Sequence, residues 1–222
     1  MSLENIDKAM MLGEIALSIN IDAGGDAGSC CDERQRRLIA RALAREEGAF
    51  DDLMVHHQRK VYGVALKVLA SVEDARDATQ ETFLRVFKYL RSYDAKDDFN
   101  AWLYRITINV CIDMRRKCAS TSTLTADDKE WAELADLPFS AVGDAEAEAI
   151  RSEQRRMVEQ ALAKLPVKER AAIVLRDIEE LSTKEVARIL GSSESTVRAQ
   201  VSSARSKIRA TCRRLLSCRR TL

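Results

Sequence analysis

Apolar residues recur at steps of three and four along most of this chain, the period of α-helices that each bury one face. Leu38, Ile39, Ala42 and Leu43 predict a first helix, broken by Gly48. Phe50, Leu53, Met54, Val61, Val64, Ala65, Val68 and Leu69 predict a longer second one. Ser71 followed by Asp74 caps a third, whose inner face is Ala75, Ala78, Thr82, Phe83, Val86, Phe87 and Leu90. After SYDAKDD, a fourth is traced by Phe99, Trp102, Leu103, Ile106, Val110 and Met114. Four helices with short connections form a small bundle.

The same period returns twice between Leu181 and Arg209. Val186, Ile189 and Leu190 make one stripe; Val197, Val201, Ala204 and Ile208 make another. Gly191 lies between them and can take the left-handed backbone that stops one helix and turns into the next. Ser182 and Glu185 form a capping box that starts the first helix near Thr183, and Ser193 or Ser195 can cap the second. Off its apolar stripe the second helix carries Arg198, Gln200, Ser202, Ser203 and Arg205. Two short helices joined in this way read as a helix-turn-helix, with the second lying in a DNA major groove.

Charge strengthens that reading. From Val197 onward the ionic residues are Arg198, Arg205, Lys207, Arg209, Arg213, Arg214, Arg219 and Arg220, with no acid among them. The whole chain balances 36 Lys+Arg against 35 Asp+Glu, so this one-signed run is a local footprint for phosphate. Between the two patterned regions, Asp127, Asp128, Glu130, Glu133, Asp136, Asp144, Glu146 and Glu148 face a single Lys129, the composition of a linker. A solvated tether is the simpler reading; were the segment to follow a fixed path on a partner, Trp131 and Phe139 would be its anchoring points. The expected fold is therefore all-α, an N-terminal four-helix bundle and a C-terminal helix-turn-helix domain joined by a flexible acidic linker. The expected boundaries are a poorly patterned extension over 1–33, the bundle over 34–118, the linker over 119–152, the second domain over 153–216 and a basic tail over 217–222. Within the extension, Met10 to Ile21 could form a short amphipathic helix, and GDAGSCC reads as a joint.

Several chemistries are not expected. No Gly-rich phosphate loop, nucleophile elbow or metal-ligand cluster is present, so neither an enzyme nor a cofactor is anticipated. Cys30, Cys31, Cys111, Cys118, Cys212 and Cys218 include no CxxC, and His56 and His57 are the only histidines. That excludes zinc spacing and reads as reduced thiols in a cytoplasmic protein. No apolar run reaches membrane-spanning length, and Glu4 and Asp7 stand where a signal peptide would be basic.

Seven of the eleven aromatic residues lie between Phe83 and Tyr104. Phe83 and Phe87 fall at core spacing, whereas Tyr104 falls off the stripe of Phe99 and Trp102 and is expected at the surface. Arg105, Asn109, Arg115, Arg116 and Lys117 follow on the same helix. Aromatic rings beside cations and an amide can stack on bases and hold phosphates of a single strand, although a bundle with a polar outer face has the same composition.

DARDATQETFLRVFKYL, then FNAWLYRITINVCIDMRRK, then LAKLPVKERAAIVLRDIEELSTKEVARILGSSESTVRAQVSSARSKIR, resemble the two domains of bacterial RNA polymerase sigma factors. The most similar group is the small, two-domain extracytoplasmic-function type, over roughly Phe50 to Lys117 and Arg155 to Leu215. The resemblance implies partners: core RNA polymerase, promoter DNA and, in some members, an anti-sigma factor. It places Asp77, Gln80 and Glu81 against the polymerase clamp. It places Trp102, Arg105, Asn109, Arg115, Arg116 and Lys117 at the melted minus-ten element. It places Arg176, with Ser195, Thr196, Arg198, Ala199, Gln200, Ser202, Ser203 and Arg205, at the minus-thirty-five duplex. The chain departs from the family pattern at Ser192, usually apolar, and at Gln200 and Ser203, often arginine. Gln200 could instead pair with adenine, and Arg205 is the expected phosphate contact.

Undoing base stacking costs ~1.4 kcal/mol per base-pair step, so opening about ten pairs costs roughly 14 kcal/mol. Each base stacked on an aromatic ring returns only ~1–3 kcal/mol. With few candidate stacking residues, strand opening has to be shared with core polymerase. The competing reading is a homodimeric regulator on palindromic DNA, which leaves the Trp102-to-Asn109 block unexplained.

Overall fold

A computed structural model of the chain describes residues 28–94, 97–121 and 145–219. All regular structure among the described residues is helical. The chain divides into two compact units, with the break between residues 121 and 122. The proposed Met10–Ile21 helix, the acidic stretch from Asp127 to Asp144 with Trp131 and Phe139, and Arg220 lie outside the described residues, as do the side chains of Cys30, Cys31 and Cys218.

The first unit contains α1 (Gly28–Leu43), α2 (Ala49–Leu69), α3 (Val72–Tyr89) and α4 (Phe99–Thr121). The α1 helix begins five residues before Glu33 and takes in the GSCC of the expected joint. Gly48, at φ 72°, turns the chain from α1 into α2. The α3 helix is capped as its sequence predicts, with Ser71 Oγ accepting from the Asp74 N–H at 3.2 Å. The core is formed by Leu38 and Ile39 of α1, Leu53, Val61 and Val64 of α2, Phe83 and Val86 of α3, and Leu103 and Ile108 of α4. Burying each such side chain contributes about 1.5–3 kcal/mol.

Two aromatic expectations are corrected. Phe87 is 67% exposed, touching the ring of Phe50 edge-on at 5.1 Å. The inward arc of α3 is centred on Ala78, Thr82 and Val86, and Phe87 lies about 100° from Val86 around the axis. Tyr104 is buried, at 3% exposure, with Lys60 Nζ 5.2 Å above its ring. The α4 helix packs against both α2 and α3, so its buried arc is wide enough to hold Tyr104 as well as Phe99.

The second unit contains α5 (Ala145–Ala163), α6 (Val167–Ile173), α7 (Thr183–Leu190) and α8 (Glu194–Arg219). At the α5–α6 joint Arg170 is almost fully buried. Its guanidinium donates to the carbonyls of Ala163 and Leu165, tying the end of α5 to α6. The α6 helix runs on into a π-helical turn, Val174–Ile178, in which the Glu179 N–H reaches back five residues to the Val174 carbonyl at 3.0 Å.

The helix-turn-helix forms as its sequence predicts. The capping box is complete, with Ser182 N donating to Glu185 Oε2 at 2.7 Å and Glu185 N to Ser182 Oγ at 3.3 Å. Gly191 adopts φ 58°, and the Ser192 N–H donates to the Ala187 carbonyl at 3.0 Å. Ser193 caps α8, its Oγ accepting from the Thr196 N–H at 3.1 Å. Val197, Val201, Ala204, Ile208 and Cys212 of α8 are buried with Val186 and Ile189 of α7 and Leu175 of the π-helical turn.

Candidate nucleic-acid and polymerase interfaces

On α4, residues succeed one another by about 100° around the axis. Trp102, Arg105, Asn109 and Arg116 then share an arc of about 60°, with Arg105, Asn109 and Arg116 exposed and Trp102 half-buried. Trp102 belongs to a ring cluster. Its centroid is 5.2 Å from that of Tyr93 and 5.5 Å from that of Phe99, and Tyr93 meets Phe99 edge-on at 5.3 Å. Tyr93 Oη donates to the Asp97 carbonyl at 2.5 Å, which ties the preceding loop to the cluster. The indole therefore stands on a base of two rings with an amide and two guanidiniums beside it, suited to stacking and hydrogen-bonding an unpaired base.

Beneath this cluster lies His57 of α2, 3% exposed, its ring 5.2 Å from Phe99. Burial drives its pKa from the ordinary 6.5 down to about 4, with smaller contributions from His56 and Lys60. Its Nε2 is buried without a hydrogen-bond partner. The sequence marks His57 only as one of two histidines without zinc spacing; its place beside Phe99 depends on α2 packing against α4, which no local pattern encodes.

The remaining cations of α4 do not join this arc. Arg115 is exposed about 80° beyond Arg105 around the helix. Lys117 lies on the other side, in a groove of about 340 Å³ between α3 and α4 that also holds Asp77, Gln80 and Glu81. The groove is internally braced: Arg85 donates to Glu81 Oε1 at 2.8 Å and to Asp113 Oδ2 at 3.2 Å. Leu84 is 66% exposed on this face and Phe87 follows it, so the acidic patch borders unburied apolar surface. Leu84 carries no distinguishing mark in the sequence. Phe87 was masked by its core-like spacing.

On α8 the candidates divide. Arg198, Ser202 and Arg205 line one concavity of about 420 Å³ together with Arg176 of the π-helical turn, Thr183 and Arg209. Ser195 and Ala199 are exposed on the outward face. Thr196, Gln200 and Ser203 lie on the far flank; Gln200 is about 160° around the helix from Arg198. Gln200 Oε1 is buried without a partner, so the amide does not present its acceptor to a groove. Ser192, the departure at the turn, likewise buries its Oγ without a partner. Among the described residues Arg198 is held by Glu194, at 3.0 Å, in a pair exposed at both ends; such a pair contributes roughly 0.3–0.5 kcal/mol and yields readily to a DNA base.

Arg205 is engaged internally. Its Nε and Nη2 donate to both oxygens of Asp177, at 3.0 and 2.7 Å, and its side chain is 34% exposed against 10% for Asp177. This charge-assisted fork raises the pKa of Arg205 further. On the opposite flank Glu169 of α6 accepts from Lys207 at 2.8 Å through each oxygen and from Ser203 at 3.3 Å. Neither acid stood out in the sequence, because Asp177 is 28 residues from Arg205 and Glu169 is 38 from Lys207.

A helical bundle with an aromatic, amide-bearing face, followed by a helix-turn-helix unit with an arginine-lined concavity, has the parts of a sigma-70-class initiation factor. Residues 53–121 match the family described as Sigma-70 region 2, and residues 155–208 match Sigma-70, region 4. The RNA polymerase sigma-H factor of Pseudomonas aeruginosa is 30% identical over 179 residues, covering 79% of this chain and 92% of that one. The ECF RNA polymerase sigma factor SigM of Mycobacterium tuberculosis is 31% identical over 171 residues, covering 77% and 81%. Among solved structures, CnrH in complex with the cytosolic domain of CnrY is similar at a TM-score of 0.54 and 26% identity, covering 83% of this chain and 97% of that one. The sigma factor RpoE of Bartonella quintana, in complex with the anti-sigma factor NepR, shares the fold at a TM-score of 0.58 and 18% identity, covering 75% and 98%. The chain belongs to the extracytoplasmic-function (ECF) sigma factors, and as such directs promoter-specific transcription initiation. Sigma factors are not enzymes. No described helix is long and apolar enough to cross a membrane, and no described group of side chains is arranged to hold a metal ion.

Proposed function

We propose that the first unit holds core RNA polymerase through Asp77, Gln80 and Glu81 and reads the melted minus-ten strand through Trp102, Arg105, Asn109 and Arg116. The second unit docks on the minus-thirty-five duplex through Arg176, Arg198 and Ser202, with Ser195 and Ala199 facing the groove. Arg115 and Lys117 supply general attraction for phosphate, and Lys117 does so from the polymerase-facing groove. The protein acts in the cytoplasm and performs no chemistry of its own. The observation that carries this reading is the arc on α4, where an indole braced by two rings stands beside an amide and two guanidiniums. Solved relatives held by CnrY and NepR support an anti-sigma protein as a further partner.

The test is run-off transcription with purified core polymerase, with and without this chain, joined to permanganate footprinting of the template. Transcripts and reactive thymines are expected only when both components are present. Thymines exposed by the chain alone, or transcripts independent of it, refute the proposal.

A further inference from the structure

We propose that Arg205 is a positioning residue: gripped by Asp177, it fixes the π-helical turn against the recognition helix and so sets where Arg176 meets the DNA backbone. The inference rests on the reading that α7 and α8 dock on duplex DNA. Three observations support it. The Asp177–Arg205 fork is bidentate and shielded on the carboxylate side, so it forms a fixed joint between two elements 28 residues apart. Arg176 is the residue next to Asp177 and lines the same concavity as Arg198. The other flank of α8 is held by Glu169 through Ser203 and Lys207, so the helix cannot roll about its axis without breaking one grip or the other.

The fork also neutralises Arg205. A guanidinium already paired with a carboxylate releases no counterion from DNA, whereas an unpaired one that contacts phosphate contributes about 0.9 to the slope of log affinity on log salt. The two roles give opposite signs for one substitution. If Asp177 merely competes with phosphate for Arg205, Asp177→Asn frees the cation and binding tightens. If the pair positions Arg176, Asp177→Asn loosens the turn and binding weakens.

The experiment uses the full chain assembled with core polymerase, on a duplex recovered by selection over a randomised minus-thirty-five segment. Arg176→Ala should weaken binding and lower the salt slope by about 0.9. Asp177→Asn and Arg205→Ala should each weaken binding about tenfold, and Arg176→Ala/Arg205→Ala should be no weaker than Arg176→Ala alone, since coupled residues are not additive. Tighter binding by Asp177→Asn, or additive losses with a slope lower by about two units, overturns the proposal. Thermal unfolding separates misfolding from misplacement. Should Arg205→Ala unfold the unit, Arg205→Lys keeps a cation without the fork; weaker binding supports positioning, and unchanged binding refutes it. Unchanged binding in both Arg176→Ala and Arg198→Ala would instead sink the docking reading itself.

Discussion

His57 gives the first unit a calculable acid sensitivity. In the unfolded chain its imidazole titrates at the ordinary 6.5, and in the folded bundle at about 4, because burial against Phe99 disfavours the charged form. A depressed native pKa means that the unfolded state binds more protons between these values, so stability falls as pH falls. Above 6.5 both states hold a neutral ring and nothing is lost. At pH 5 the unfolded ring is nearly all protonated and the native one nearly all neutral, which costs about 2 kcal/mol relative to pH 7. The loss saturates below pH 4. Other groups titrate in the same range, so the measurement is a difference between wild type and His57→Leu, which removes the titration and the unpartnered Nε2 at similar volume. In a Trp131→Phe background, Trp102 is the only indole and reports on the ring cluster directly. Unfolding free energies from urea titrations should fall from pH 7 to pH 5 by about 2 kcal/mol more in wild type than in His57→Leu. Equal pH dependence in the two proteins would show that His57 is not held neutral by burial.

Further outcomes follow from the two interfaces. Asn109→Ala should reduce open-complex formation while leaving co-purification with core polymerase intact; Asp77→Ala and Glu81→Ala should weaken co-purification first, and open-complex formation only in step with it. Arg198→Ala should cost ~1–3 kcal/mol on the preferred minus-thirty-five duplex and relax base preference there, whereas Gln200→Ala should leave the preference unchanged in the same selection. At Gly191, with φ 58° and nothing within 4 Å of an added Cβ, only backbone strain is at stake. Gly191→Ala should therefore cost roughly 1–2 kcal/mol of second-unit stability, and Gly191→Asn less, as thermal melts would show.

The sequence was most legible where the physics is local. Caps act over three residues and the turn glycine over one, so Ser71, Ser182, Glu185 and Gly191 could be placed from spacing alone, and helical periodicity located the core of each unit. Legibility failed where a residue's surroundings come from another helix. Tyr104 is buried because α4 has two packing partners, and Phe87 is exposed because the inward arc of α3 turns away from it. Gln200 illustrates a different limit. Its side chain is chemically suited to adenine, but its place on the flank of α8 is set by which face the apolar stripe buries. Arg205 looked like one more cation in a basic run until the fold brought Asp177 to it.

The acids that brace the recognition helix also bear on how the protein searches a genome. By sequence alone α8 from Val197 onward carries cations and no acid, a rod that would adhere to any duplex. With Arg205 and Lys207 each closed on a carboxylate, two cations drop out of sequence-independent attraction. At physiological salt each withheld contact lowers non-specific affinity roughly fivefold, or about thirtyfold for the pair. A factor that sticks less to bulk DNA stays in the pool available to polymerase, and its dwell time at any site then depends on the contacts that only a promoter completes.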